Sequence, residues 1–291
     1  MSQPGKRHGH LVLIGGHEDR RHGMAILRRF ADLCGGAHAK IVIITAASAE
    51  PERLWQMYDR AFGQLGVKGR VHLHLPDRRC ADDREHLHDV GEATGIFMTG
   101  GDQERLLDIA GGTALEAAMH TAIELRGACI GGTSAGASAM SRRMLAAGHA
   151  GRHPEKGSVR LAAGLGLLHK VVIDQHFSER QRLPRLLSVV AQHPELRGIG
   201  IDEDTALVIE GGAGIEVLGA GAVTIVDGRD MSSNIAAVAE RARPELIDVR
   251  LHLLPAGSSL RLPDGGEAGA ARRIPPSLLG FLEDVTTLAR E

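Results

Sequence analysis

The sequence predicts an α/β fold: a doubly wound, mostly parallel sheet with a β-rich C-terminal extension. Three observations predict it. Apolar runs that do not alternate with polar residues, at 10–14, 40–47 and 95–99 and again just before Ser134, read as strands buried on both faces. Segments with apolar residues at helical spacing lie between them, which is the pattern of βαβ units. Beyond about residue 205, short strands separated by glycines replace that alternation.

Element by element, HLVLI at 10–14 runs into Gly15-Gly16, a buried strand and its turn. Residues 24–34 form a helix stopped at Gly35-Gly36. KIVIITAA at 40–47 is the second strand. Pro51 then opens a helix on which Trp55, Tyr58 and Phe62 fall about one turn apart, a packing stripe. Alternation over 71–75 predicts a third strand and GIFMT at 95–99 a fourth, with helices at 103–109 and 113–126. The fifth strand leads into Ser134. The Gly-rich stretch 148–168 predicts an irregular loop or lid. Residues 170–173 are a further buried strand, 184–192 a helix with Pro184 in its first turn, and 198–202 a strand. Residues 205–210, 215–218 and 222–227 predict an antiparallel meander, 249–254 one more strand, and 277–290 a terminal helix. No linker or repeat divides the chain, so 1–291 reads as one domain, its β-rich extension at about 205–260.

Composition narrows the function. The chain has 291 residues, 43% hydrophobic and 24% charged, the balance of a soluble globular enzyme. A formal net charge of -2 offers no global field for nucleic acid or an anionic membrane, and neither is expected as a partner. Three cysteines, Cys34, Cys80 and Cys129, are odd in number and far apart in sequence. That argues against a disulfide framework or a cysteine-based zinc site and suits the cytoplasm. No signal peptide or membrane span is visible. His8/His10 and His72/His74 lack an obvious carboxylate partner, so no metal and no cofactor is expected.

The chemistry centres on GACIGGTSAGASAM, residues 127–140. Gly132-Thr133-Ser134-Ala135-Gly136 fits G-x-S-x-G, a sharp strand-to-helix turn that lifts a serine above a sheet in a strained conformation. A glycine-rich βα turn packed against a neighbour would leave the same pattern. The helix after it would aim free N–H groups at the serine oxygen. An acyl-transfer serine needs a base, a group that orients the base, and two oxyanion donors. His176 directly follows a buried strand, which puts it on the same sheet edge as Ser134. Asp202-Glu203-Asp204 also follows a strand, and one of its carboxylates can reach the imidazole. The oxyanion donors are the backbone N–H of Ala135 and one from Gly100-Gly101, with Gly101 the choice. The order Ser134, His176, acid differs from that of α/β-hydrolases.

GGTSAGA, TGGDQ, DQHF and GIDEDTAL, in this order, resemble the cyanophycinase branch of the serine peptidases related to aspartyl dipeptidase. LVLIGGHED, IVIITAASAEP and VTIVDG…RLHLLPAG resemble it too, so the likeness spans about residues 10–260. It implies a fold similar to class I glutamine amidotransferase domains, with serine in place of cysteine at the elbow. It implies Ser134 as nucleophile, His176 as base and Glu203 as orienting acid. Gln103, Asp174, Gln175, Arg180, Arg182 and Arg185 fall where that family lines its substrate pocket. The implied substrate, cyanophycin, is poly-aspartate with an arginine on each β-carboxyl. The three arginines would then hold carboxylates, and Asp174 a guanidinium. The resemblance also suggests a homodimer. The alternatives are a dipeptidase for aspartyl peptides and a non-catalytic binding protein of the same fold; the long 148–168 loop and the C-terminal meander favour the polymer.

Overall fold

The computed structural model describes residues 9–149, 151–263 and 274–288. The first half alternates as the apolar runs predict: β1 (His10–Ile14), α1 (Ala25–Leu33), β2 (Lys40–Ile44), α2 (Pro51–Gln64), β3 (Gly69–Leu73), α3 (Arg84–Glu92), β4 (Gly95–Met98), α4 (Gln103–Ala110), α5 (Ala114–Arg126) and β5 (Cys129–Thr133). One helical turn, α6 (Ala135–Ser138), follows the serine. Then come β6 (Arg143–Gly148), β7 (Val159–Ala163), β8 (Val171–Gln175), α7 (Leu183–Gln192), β9 (Arg197–Ile201), β10 (Thr205–Glu210), β11 (Gly214–Gly219) and β12 (Ala222–Asp227). The chain continues through β13 (Ser232–Ser233), β14 (Leu246–Ile247), β15 (Arg250–Pro255), β16 (Ser259–Arg261) and α8 (Pro276–Thr286).

The main sheet has the order β16-β11-β10-β1-β5-β4-β2-β3. The run from β1 to β3 is parallel, and β10, β11 and β16 extend it antiparallel past β1. Helices cover both faces of the parallel part, which explains the unbroken apolar runs. Side chains alternate between two cores. Leu11, Leu13, Val42, Ile44, Ile96 and Met98 pack with Val90, Leu106, Leu115 and Met119 from α3, α4 and α5. Val12, Ile14, Ile41, Ile43 and Phe97 face the other way, onto Ile26 and Phe30 of α1 and Tyr58 and Phe62 of α2. The expected aromatic stripe is thus core at Tyr58 and Phe62, while half-buried Trp55 stacks on His72 with centroids 5.0 Å apart. Cys34 and Cys129, remote in sequence, share this second core as free thiols.

Three expectations need correction. The 148–168 stretch is not irregular throughout: β7 pairs antiparallel with β6, which ends at Gly148. The C-terminal strands are not one meander. β10 and β11 form a hairpin on the main sheet, whereas β12 leaves it for a second sheet of order β15-β12-β9-β8. Apolar patterning marks both strands as buried but carries nothing about which sheet buries them. The helix after Ser134 is a single turn, so it contributes free N–H groups but little macrodipole. The terminal helix ends at Thr286; the predicted end at Arg290 lies outside the described residues.

Candidate active site

The end of β1 gathers the site. Ile14 O accepts the Ser134 N–H at 2.9 Å and Gly15 O accepts that of His176 at 2.9 Å. Gly16 O accepts the N–H of Asp204, next to Glu203, at 2.8 Å. Three backbone bonds from consecutive carbonyls therefore tie together residues that are remote in sequence.

Ser134 sits at φ 51, ψ -110, off the allowed regions for a residue with a side chain. The flanking glycines permit that turn. A Cβ on Gly132 would lie 2.5 Å from the Gly136 backbone, and one on Gly136 would lie 2.5 Å from Met98 O. Ser134 Oγ is 2.8 Å from His176 Nε2, and His176 Nδ1 is 2.6 Å from Glu203 Oε1. Of the three carboxylates, Glu203 faces the imidazole. Asp202 accepts from the Ser178 hydroxyl and from Ala222 N–H, and Asp204 accepts from Asp19 N–H.

Burial pushes the His176 pKa down. The hydrogen bond to Glu203 opposes this, the nearby Arg180 and His17 charges add to it, and the net shift is below an ordinary histidine. Burial pushes the Glu203 carboxyl up. Its bond to His176 and the charges of His17 and Arg180 outweigh that, and its pKa is lowered. The imidazole is therefore neutral and the carboxylate ionised at neutral pH, the states needed to accept a proton from a hydroxyl.

Of the two expected oxyanion donors, Ala135 directly follows the serine, and Gly101 directly follows Gly100, which lies against it. Ala135 opens α6, where first-turn N–H groups have no intrahelical acceptor. A Cβ on Gly100 would be 3.4 Å from Ser134 Cβ, so this loop passes directly over the nucleophile position. Gly101 packs against Ala47, where a Cβ would sit 2.1 Å from the carbonyl oxygen.

Most of the other predicted site residues have partners within the fold. Asp174 is fully buried and pairs with Arg182 at 3.1 Å and with Arg185 at 2.7 and 2.5 Å. The acid and the arginines meet one another, because a buried carboxylate needs an internal counter-charge. Arg182 also donates to Gln175 O, Arg185 to Gly148 O at 2.9 Å, and Gln103 Nε2 to Leu145 O at 3.1 Å. Gln103 and Arg185 thus both hold the β6 strand of the hairpin. Arg180 is exposed and close enough to act on His176 and Glu203.

Two residues were missed. His17 Nδ1 lies 3.1 Å from Glu203 Oε2, and its ring meets that of His176 edge-on at 5.2 Å, so one carboxylate serves two imidazoles. Glu18 is buried beneath the elbow and accepts from Thr133 Oγ1 at 2.6 Å and Tyr58 Oη at 2.5 Å. Their signal is position: both follow the Gly15-Gly16 turn at the carboxyl end of β1. Ligand atoms of His17, His176 and Glu203 lie within 4.8 Å of one another, a donor set that suits a borderline divalent ion. These are groups of the hydrogen-bonded chain itself, so an ion there would compete with proton transfer.

Fold and geometry together have the arrangement of a serine-type hydrolase on a doubly wound sheet. The chain belongs to peptidase family S51, whose family model matches residues 11–217. The cyanophycinase of Geminocystis herdmanii is 43% identical over 248 residues, 85% of this chain and 91% of that protein. The cyanophycinase of Synechococcus elongatus is 40% identical over 255 residues, 87% and 79% of the two chains. That of Trichormus variabilis is 37% identical over 265 residues, 91% and 89%. The crystal structure of a peptidase from an acI-B1 Actinobacterium has a TM-score of 0.67 at 23% identity, covering 88% of this chain and 98% of its own, a likeness of fold.

Proposed function

We propose that this peptidase hydrolyses cyanophycin, multi-L-arginyl-poly-L-aspartate, to β-Asp-Arg dipeptides through an acyl-enzyme on Ser134. The observation that carries the reading is the unbroken chain from a strained serine to His176 and Glu203, at 2.8 and 2.6 Å. It occurs in a chain 37–43% identical to cyanophycinases over most of its length.

His176 Nε2 takes the proton of Ser134 Oγ as the oxygen attacks the backbone carbonyl of an aspartyl residue. Glu203 holds Nδ1–H and stabilises the imidazolium that forms. The tetrahedral oxyanion is met by the N–H groups of Ala135 and Gly101. His176 returns the proton to the leaving amine, and water, activated the same way, releases the acyl group. Arg180 takes a substrate carboxylate. Arg182 and Arg185, held by buried Asp174, form the pocket wall with Gln103 and Gln175, and Gln103 and Arg185 brace β6. The chain works as one domain, in the cytoplasm, where Cys34, Cys80 and Cys129 remain free thiols. It works as a homodimer, for which the edge strand β15 offers exposed Leu251 and Leu253.

Purified polymer incubated with the wild-type chain should release β-Asp-Arg, and Ser134→Ala should release none while keeping its melting temperature. Wild-type peptidase activity in Ser134→Ala would overturn the nucleophile. Cleavage of plain aspartyl dipeptides and none of the polymer would overturn the substrate.

A further inference from the structure

A groove of about 800 Å³ opens between the loop after β1 and the outer face of α2. Four guanidiniums line it, Arg20 and Arg21 from the loop and Arg53 and Arg60 from α2, together with His22. Arg53 and Arg60 are two helical turns apart and share one face of α2. Two carboxylates, Glu18 and Asp19, stand among the four guanidiniums, so the lining keeps an excess of positive charge. Glu18 is buried, accepts from Thr133 and Tyr58, and pairs with Arg20 at 3.8 Å. Asp19 accepts from the N–H groups of Met24, Arg21, His22 and Gly23, which hold its carboxyl well below the usual range, and it lies 3.6 Å from His22 Nδ1. Arg53 pairs with Glu50, the residue that precedes α2. Arg21 and Arg60 have no acidic partner among the described residues.

The groove also adjoins the candidate triad. Its inner wall is Glu18, whose carboxylate holds the hydroxyl of Thr133, the residue before Ser134. The residue before Glu18 is His17, which touches Glu203. A single buried side chain, Glu18, thus links the groove wall to the elbow.

We propose that this groove is a second binding site for the polymer, taking carboxylates of repeats beyond the one being cleaved; this rests on the reading of cyanophycin as substrate. Each repeat displays a guanidinium and the free α-carboxylate of its arginine. A planar guanidinium meets a carboxylate through two parallel N–H···O bonds. Exposed pairs of this kind are individually weak. Several on one chain act together, because the first contact raises the effective concentration of the next. The groove keeps a polymer end near Ser134 between successive cleavages.

The test uses the full chain with Arg53→Glu and Arg60→Glu together, and with Arg53→Lys and Arg60→Lys together. Both positions are exposed on α2, so the variants keep the fold. The probe is fluorescein-labelled poly-L-aspartate, which carries carboxylates and no guanidinium, read by anisotropy on a Ser134→Ala background. Charge reversal should weaken its binding about tenfold or more, the lysine pair should keep part of the affinity, and salt should shrink the difference. In the active chain, the ratio of kcat/KM on polymer to that on a short β-Asp-Arg oligomer should fall about tenfold, mainly through KM. Unchanged poly-L-aspartate binding overturns the groove whatever the ratio does. If the wild-type chain leaves the polymer intact while charge reversal still weakens the probe, the substrate reading fails and the groove stands as a site for carboxylate polymers.

Discussion

Gly16→Ala separates placement of the base from stability of the fold. Gly16 has φ +104, and a Cβ built there would lie 2.3 Å from His176 Cε1 and 2.7 Å from Nε2. Ordinary contact begins near 3.4 Å, so the ring must retreat by about 1 Å. That retreat stretches the 2.8 Å bond from His176 Nε2 to Ser134 Oγ. It also pulls on the 2.6 Å bond to Glu203. A misplacement of this size costs on the order of 100-fold in rate, and the forced backbone conformation costs about 1–3 kcal/mol of stability. The two effects are separated by Gly66→Ala, at φ +85 with nothing within 4 Å of the added Cβ. That control carries backbone strain without touching the site. The assay is kcat/KM on the polymer with thermal melting of both variants. Both should melt lower than wild type, and Gly16→Ala alone should lose catalysis. If Gly16→Ala keeps its rate within about threefold, or Gly66→Ala loses as much, the β1 turn does not position His176.

Two further outcomes follow from the charges around the site. Arg180 lowers the His176 pKa, after burial and against the Glu203 hydrogen bond, and activity needs the neutral imidazole. Arg180→Gln should therefore move the acid limb of kcat/KM on a small uncharged ester to higher pH, less so at high salt because the arginine is exposed; a limb that stays put or moves lower contradicts this. Asp174→Asn removes the buried counter-charge of Arg182 and Arg185, which should cost about 3–5 kcal/mol and lower the melting temperature by roughly 6–20 °C. A shift under about 2 °C would show that the two guanidiniums find other partners.

The sequence by itself determined the alternation of buried strands and covering helices, because a strand buried on both faces must be apolar at every position, and that is visible without coordinates. It also located the serine, since only glycine fits at Gly132, where the Gly136 backbone of the same turn approaches to 2.5 Å, and at Gly136, where Met98 O does. The choice of His176 rested on its position after a strand, and Glu203 was singled out among three adjacent acids by resemblance alone. Tertiary structure decided what depends on partners remote in the chain. It sent β12 to a second sheet, paired Asp174 with Arg182 and Arg185, brought His17 to Glu203 and put Glu18 under the elbow. Each of these is a contact of a charge, a hydrogen bond or a sheet edge with a residue whose sequence distance carries no signal. Periodicity reports which face of an element is buried, and only the assembled fold reports what lies against it.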